Sequence, residues 1–175
     1  MPDEIRIGLM GTLRQCGWPL YIHGEAGTGK TCIAALLYRD FIGYAAWCSC
    51  RALLRDMAAF RADPAHAMVW LMASGNVCHR PAANAWADLT DPGWLVCLDD
   101  LGTRELSPTQ SEILLDLLDA RVGKPLIVTG NHDRAGLLKF MDPRIVSRLC
   151  QGTVIGLVGK DRRTPQVELE VVSNG

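Results

Sequence analysis

The chain has 175 residues, 49% of them hydrophobic and 21% charged, with a net charge of −1. Against about 150 residues per domain, this length gives one domain, able to bury roughly 70% of its unfolded surface. That composition excludes a disordered chain, and the near-zero charge excludes a strong global basic field. No apolar run reaches the roughly 18 residues of a membrane span. The start, MPDEIRIG, has an acidic pair where a signal peptide carries a basic region. The seven cysteines contain no CxxC pair, and several sit in apolar runs such as Leu95-Val96-Cys97-Leu98. They read as reduced, buried, small hydrophobes of a cytoplasmic protein and not as zinc ligands. His66 and His79 read as surface or loop residues.

In chain order, residues 4–15 read as a short helix, and Pro19 to His23 as a buried strand ending in a glycine-rich turn. Ile33, Leu36, Leu37 and Phe41 lie at helical spacing within 30–42. Tyr44 to Cys48 reads as a second strand, and 51–61 as a helix through Leu53, Leu54, Met57 and Phe60. Over 62–92 the pattern predicts two helices, around 64–74 and 80–89, with a break at Gly75-Asn76. Trp94 to Asp99 is a short apolar run that closes on Asp99, with Asp100 next, as in a central parallel strand.

Ser107, Pro108 and Gln110 spell a capping box with proline at the first helical position. Ile113, Leu114, Leu117 and Leu118 form the apolar face of the helix that follows, which Gly123 and Pro125 stop. Leu126 to Thr129 is a further core strand, 134–141 and 143–150 are short helices, and Val154 to Val158 is another strand. A last edge strand is expected at 167–172. This alternation predicts an α/β domain: a parallel sheet with helices on both faces and a ligand crevice at the carboxyl ends of its strands.

Gly24-Glu25-Ala26-Gly27-Thr28-Gly29-Lys30-Thr31 fits G-x-x-x-x-G-K-[ST], after a strand and opening a helix. The glycines let backbone N–H groups curl around phosphate oxygens, and the helix N-terminus adds partial positive charge. The nucleotide-binding stretch is taken as 24–32, ending at Cys32. Lys30 is placed for the β- and γ-phosphates and Thr31 for Mg²⁺. Asp99 is the expected Mg²⁺ residue and Asp100 the base that orients water. Asn131, at the tip of the 126–129 strand, is placed to hydrogen-bond the attacking water or the γ-phosphate. Asn131-His132-Asp133-Arg134 lacks the Asn-Lys-x-Asp pattern of guanine recognition, which favours ATP. Arg144 and Arg148 are four apart on one helix face, where Arg148 can serve as an arginine finger to a neighbouring subunit.

The order GEAGTGKT, LVCLDDLG, LLDLLDAR, LIVTGN, DPRIVSRL resembles the DnaC/DnaI helicase-loader branch of AAA+ ATPases, and equally the IstB transposition helpers, over residues 18–163. The resemblance implies a P-loop NTPase with an AAA+ core and no C-terminal helical lid, spanning 1–175 as a single domain with a helix or linker at 1–17 and a tail at 164–175. It implies an ATP- and Mg²⁺-dependent ATPase of DNA replication, acting with single-stranded DNA and a replicative helicase. Through IstB it implies instead a transposase and duplex DNA. Lys30 and Thr31 become Walker A residues, Asp99 and Asp100 the Walker B pair, Asn131 sensor I, and Arg148 the arginine finger of an ATP-dependent homo-oligomer with shared active sites. Arg162 or Arg163 is expected near the nucleotide, and Arg51, Arg55 and Arg104 near DNA phosphates. A bacterial or phage-infected cytoplasm is the expected setting. Helicase loaders usually carry a further N-terminal domain, whereas only residues 1–17 precede the region of resemblance here, so the chain is expected either to bind its partner by another route or not to be a loader in the usual sense. A P-loop small-molecule kinase and a weakly hydrolysing scaffold are the remaining alternatives. The second strand is followed by Ser49-Cys50-Arg51 and not by the acceptor-site carboxylate of a kinase.

Overall fold

A computed structural model describes residues 17–41, 43–63, 67–72, 77–102 and 105–159. Its elements are β1 (Leu20–Gly24), α1 (Lys30–Arg39), β2 (Tyr44–Ser49), α2 (Cys50–Ala62), β3 (Ala67–Met72), β4 (Val77–Pro81), α3 (Ala82–Thr90), β5 (Trp94–Leu101), α4 (Pro108–Ala120), β6 (Leu126–Gly130), α5 (Arg134–Leu137), α6 (Pro143–Leu149) and β7 (Thr153–Leu157). The strands form one sheet in the order β4-β3-β2-β5-β6-β1-β7. Strands β2, β5, β6, β1 and β7 run parallel. Strands β3 and β4 add an antiparallel pair at the β2 edge.

That pair corrects the helix expected over 64–74. Residues 67–72 instead pair with Ala46 and Trp47 of β2 on one side and with β4 on the other. A short apolar run holds no periodicity that separates a strand from a buried helix. Here the free edge of β2 offers the backbone partners that decide it. The helix expected at 80–89 is present as α3, starting two residues later at Ala82. The helix over 4–15, the edge strand over 167–172, the break at Gly75-Asn76, and His66 lie outside the described residues.

Strand alternation splits the core into two layers. Leu20, Ile22, Ala45, Leu95, Cys97 and Ile127 face α1 through Ala34, Leu37 and Tyr38. Tyr21, Ala46, Val96, Leu98, Leu126 and Val128 face the opposite way, beneath helices α2, α3, α4 and α6. Both faces carry helices, as the alternation predicts, but unevenly. The capping box of α4 forms as read: Ser107 accepts from the Gln110 N–H, and the Gln110 side chain accepts from Ser107. Ile113, Leu114, Leu117 and Leu118 are buried beneath it.

Arg121, at the end of α4, is fully buried. Its guanidinium donates to the carbonyls of Leu89, Asp91, Trp94 and Pro125. One side chain thereby ties the α3–β5 and α4–β6 connections together at the end of the sheet away from the phosphate loop. Burial pulls its pKa down to about 10, still charged at neutral pH. Replacing it strands several buried carbonyls, each costing about 1–3 kcal/mol. Arg121→Met is therefore expected to lower the unfolding free energy by about 3 kcal/mol or more in urea denaturation. An unchanged midpoint would contradict the clamp.

Candidate nucleotide-binding site

The parallel register brings the tips of three strands level. His23 of β1 pairs with Gly130 of β6, and Gly130 pairs with Leu101 of β5. One residue beyond His23 begins the glycine-rich loop, and one beyond Gly130 stands Asn131.

The loop over 24–29 turns through Gly27 at φ +77° and Gly29 at φ +97°, backbone that L side chains rarely adopt. A Cβ on Gly24 would collide with the Leu157 carbonyl of β7. Thr28 closes the turn, its hydroxyl donating to the Glu25 carbonyl at 2.9 Å. Helices α2, α4, α5 and α6 have side-chain caps from Ser49, Ser107, Asp133 and Asp142. Helix α1 has Gly29 instead and no side-chain cap. Its first-turn amides, at Lys30, Thr31 and Cys32, face the crevice end of the sheet with the positive end of the helix dipole. The Lys30 ammonium lies across the loop, donating to the carbonyls of Gly24 at 2.8 Å and Glu25 at 2.7 Å.

Across the crevice, the Thr31 hydroxyl donates to Asp99 Oδ1 at 3.1 Å. That one bond joins the two motifs, separated by 68 residues. Among the described residues no group of three or more His, Cys, Asp or Glu is placed to hold a metal on its own. The donor set suits Mg²⁺, which binds through one or two protein oxygens together with phosphate oxygens and water. Thr31 and Asp99 would hold it, and it would supply charge neutralisation between phosphates.

Asp100 lies at a register irregularity between β5 and β6, with φ +60°. Asp tolerates this left-handed backbone better than most L residues. Its side chain is exposed and its charge reaches Cys50, at the start of α2. Burial first, and Asp100 second, push the Cys50 thiol up to about 12, so it is a protonated core residue. Cys48 and Cys97 are likewise buried and pushed up, mainly by burial, as expected of inert thiols. Cys32 is exposed.

A residue absent from the motif reading holds the aspartates. Thr129 of β6, 1% exposed, donates to Asp99 Oδ1 at 2.7 Å and accepts the Asp100 N–H at 2.9 Å. Its signal in the sequence was a hydroxyl residue inside an aliphatic core strand, Leu126-Ile127-Val128-Thr129.

The structure thus brings Lys30, Thr31, Asp99, Asp100 and Asn131 to one crevice, but it does not bring Arg148 there. Among the described residues the partners of Arg148 are Asp119, through an ion pair, and the Arg144 carbonyl at 3.3 Å. Arg144 makes its own ion pair with Asp142 at 2.8 Å, which holds the Asp142 carboxyl below its ordinary value. Arg51 and Arg55 are exposed on α2, and Arg55 pairs with Asp56 at 2.8 Å. Arg104, Arg162 and Arg163 lie outside the described residues. No helix among the described residues is long and apolar enough to cross a membrane.

No protein-family model matches the chain, and no curated protein matches it. Solved structures do. The DnaC helicase loader superposes with a TM-score of 0.63 at 19% identity, covering 89% of this chain and 87% of that one. DnaI gives 0.61 at 19% identity, covering 92% and 83%. The replication initiator DnaA, bound to AMPPCP and single-stranded DNA, gives 0.65 at 15% identity, covering 90% of this chain and 45% of that one. The chain shares the α/β fold of these proteins. The likeness is one of fold, and it falls on the helicase-loader proteins that the motif order resembles.

Thr129→Val removes the bridge between the aspartates at constant volume and leaves the Asp100 N–H without its acceptor, a cost of about 1–3 kcal/mol. Stability is expected to fall by that amount, and binding of a Mg²⁺–nucleotide to weaken more than binding of the nucleotide in EDTA. Equal weakening in both conditions would contradict the role given to Thr129.

Proposed function

We propose that this chain is an ATP-binding and ATP-hydrolysing AAA+ protein of DNA replication that loads or remodels a replicative helicase on single-stranded DNA. The observation that carries the ATPase is the Thr31–Asp99 hydrogen bond at 3.1 Å, closing a phosphate loop against a strand-end carboxylate. The replication role rests on fold likeness to a helicase loader and to an initiator solved with an ATP analogue and single-stranded DNA.

In this mechanism the loop amides and Lys30 hold the β- and γ-phosphates. Lys30 must leave the Gly24 and Glu25 carbonyls to do so, and phosphate oxygens offer it stronger, charge-assisted bonds. Thr31 and Asp99 hold the Mg²⁺. Asp100 orients the attacking water, and the Asn131 amide meets the water or the γ-phosphate. Arg148 acts on the site of a neighbouring subunit once it exchanges Asp119 for a γ-phosphate. In the single chain the Asp119 pair keeps it neutralised and away from its own loop. Turnover is accordingly slow until subunits assemble. Arg51, Arg55 and Arg104 supply DNA phosphate contacts, so DNA affinity falls as salt rises. Such work places the protein in the cytoplasm of a bacterial or phage-infected cell.

Lys30→Ala is expected to weaken ATP binding at least about tenfold, equivalent to about 1.4 kcal/mol, in calorimetric titration. Unchanged affinity would overturn the phosphate-loop assignment. An arginine finger is worth about 10³–10⁵ in turnover. Arg148→Ala and Asp100→Asn chains should each be inactive in the assembled state. Mixed together they should regain turnover, because some interfaces then combine an intact Arg148 with an intact Asp100. No recovery on mixing would rule out a finger supplied between subunits. Loading itself is tested on a circular single strand: the chain with ATP should raise the amount of replicative helicase retained on the circle, and Lys30→Ala should not. Equal retention with and without the chain would contradict the loader role.

A further inference from the structure

Tyr21 is a buried polar side chain that the mechanism above leaves unused. It lies on β1, three residues before Gly24, and is fully buried. Strand alternation turns it away from α1, into the layer beneath α4 and α6. Its hydroxyl donates to the His132 carbonyl at 2.6 Å, across 111 residues of chain. Its ring tip also fills the space beside Gly130, where an added Cβ would lie 2.5 Å from the Tyr21 oxygen. Tyr21 therefore touches the residue before Asn131 and bonds the residue after it.

The loop around Asn131 is fixed from its far side as well. The His132 ring packs edge-on against Phe140, with centroids 5.1 Å apart. The Asp133 side chain accepts the Gly136 N–H at 2.7 Å and starts α5. Between these anchors Asn131 is half-buried at the strand tip. The Tyr21 phenol is pushed up, first by burial and then by Cys150 and Asp133, so it remains a protonated donor across the working pH range.

We propose that Tyr21 is the positioning residue for Asn131, fixing its backbone on both sides so that the amide meets the reacting phosphate or water. Because Tyr21 and the phosphate loop share β1, the same strand sets the loop that holds the phosphates and the loop that reads them. This role presupposes the function given to Asn131 above. A Tyr that only filled the core would contribute to stability and leave the chemical step alone.

The test is Tyr21→Phe, which keeps the ring and removes the hydroxyl. Three quantities are read: amide hydrogen exchange over 130–136, kcat and KM for ATP, and the same kinetics in an Asn131→Ala background. Exchange at 131–133 should accelerate by about tenfold, the scale of one lost hydrogen bond. The kcat should fall by about fivefold to tenfold with KM changed by less than about twofold, as for an interaction used in the transition state. In the Asn131→Ala background the substitution should change nothing further, because residues that act as a unit are not additive. Unchanged exchange would overturn the inference, as would an unchanged kcat in a protein that Asn131→Ala impairs. An equal further loss on top of Asn131→Ala would overturn it too, by showing that Tyr21 acts elsewhere. If Asn131→Ala itself leaves kcat unchanged, the role of Asn131 falls, and Tyr21 as its positioner falls with it.

Discussion

Strands β1, β6 and β5 lie side by side in parallel, and the site exists only because their carboxyl ends finish level. The register that pairs His23 with Gly130, and Gly130 with Leu101, places three loops around one crevice. The phosphate loop and Asn131 follow their strands directly, and Asp99 and Asp100 sit near the end of β5, just before Leu101. Small polar bonds then lock what the register brings near: Thr31 to Asp99, Thr129 to both aspartates, and Tyr21 to the loop after Asn131. None of these partners is close in sequence. Each bond therefore reports on the sheet, and a one-residue slip of β6 would turn Thr129 away from the aspartates.

Much of this was legible in the chain. The glycine spacing and Lys30-Thr31 follow from what backbone N–H groups need in order to cradle phosphate. The Ser107-Pro108-Gln110 cap and the four apolar residues of α4 follow from helix geometry. What escaped was of two kinds. Strands β3 and β4 depend on the free edge of β2, and no local pattern over 64–81 announces that edge. Thr129, Tyr21 and Arg121 looked like ordinary members of their segments, because their roles lie in what they touch across the fold. Arg121 is the clearest instance. It ends the LLDLLDAR stretch in the sequence, yet its four carbonyl partners come from the end of α3, from the α3–β5 and α4–β6 connections and from Trp94.

Arg148 sets the limit of a single chain. Its ion pair with Asp119 satisfies it on its own molecule. The shared site proposed above would therefore involve an exchange of partners. The gain from meeting a phosphate must exceed the loss of a half-exposed ion pair, and pairs of that exposure are worth at most about 1 kcal/mol. Under the proposed function a pair this weak would be released by assembly, and turnover would then be a property of the interface and not of the fold alone.

Under the proposed function, the ends of these three strands form a Mg²⁺-dependent triphosphate site. Calorimetric titration of ATP into the wild-type chain, with Mg²⁺ and again with EDTA, tests it most directly. One saturable site per chain, tighter with Mg²⁺ and tighter for ATP than for GTP, is the predicted result. Absence of binding, or binding indifferent to Mg²⁺, would contradict it.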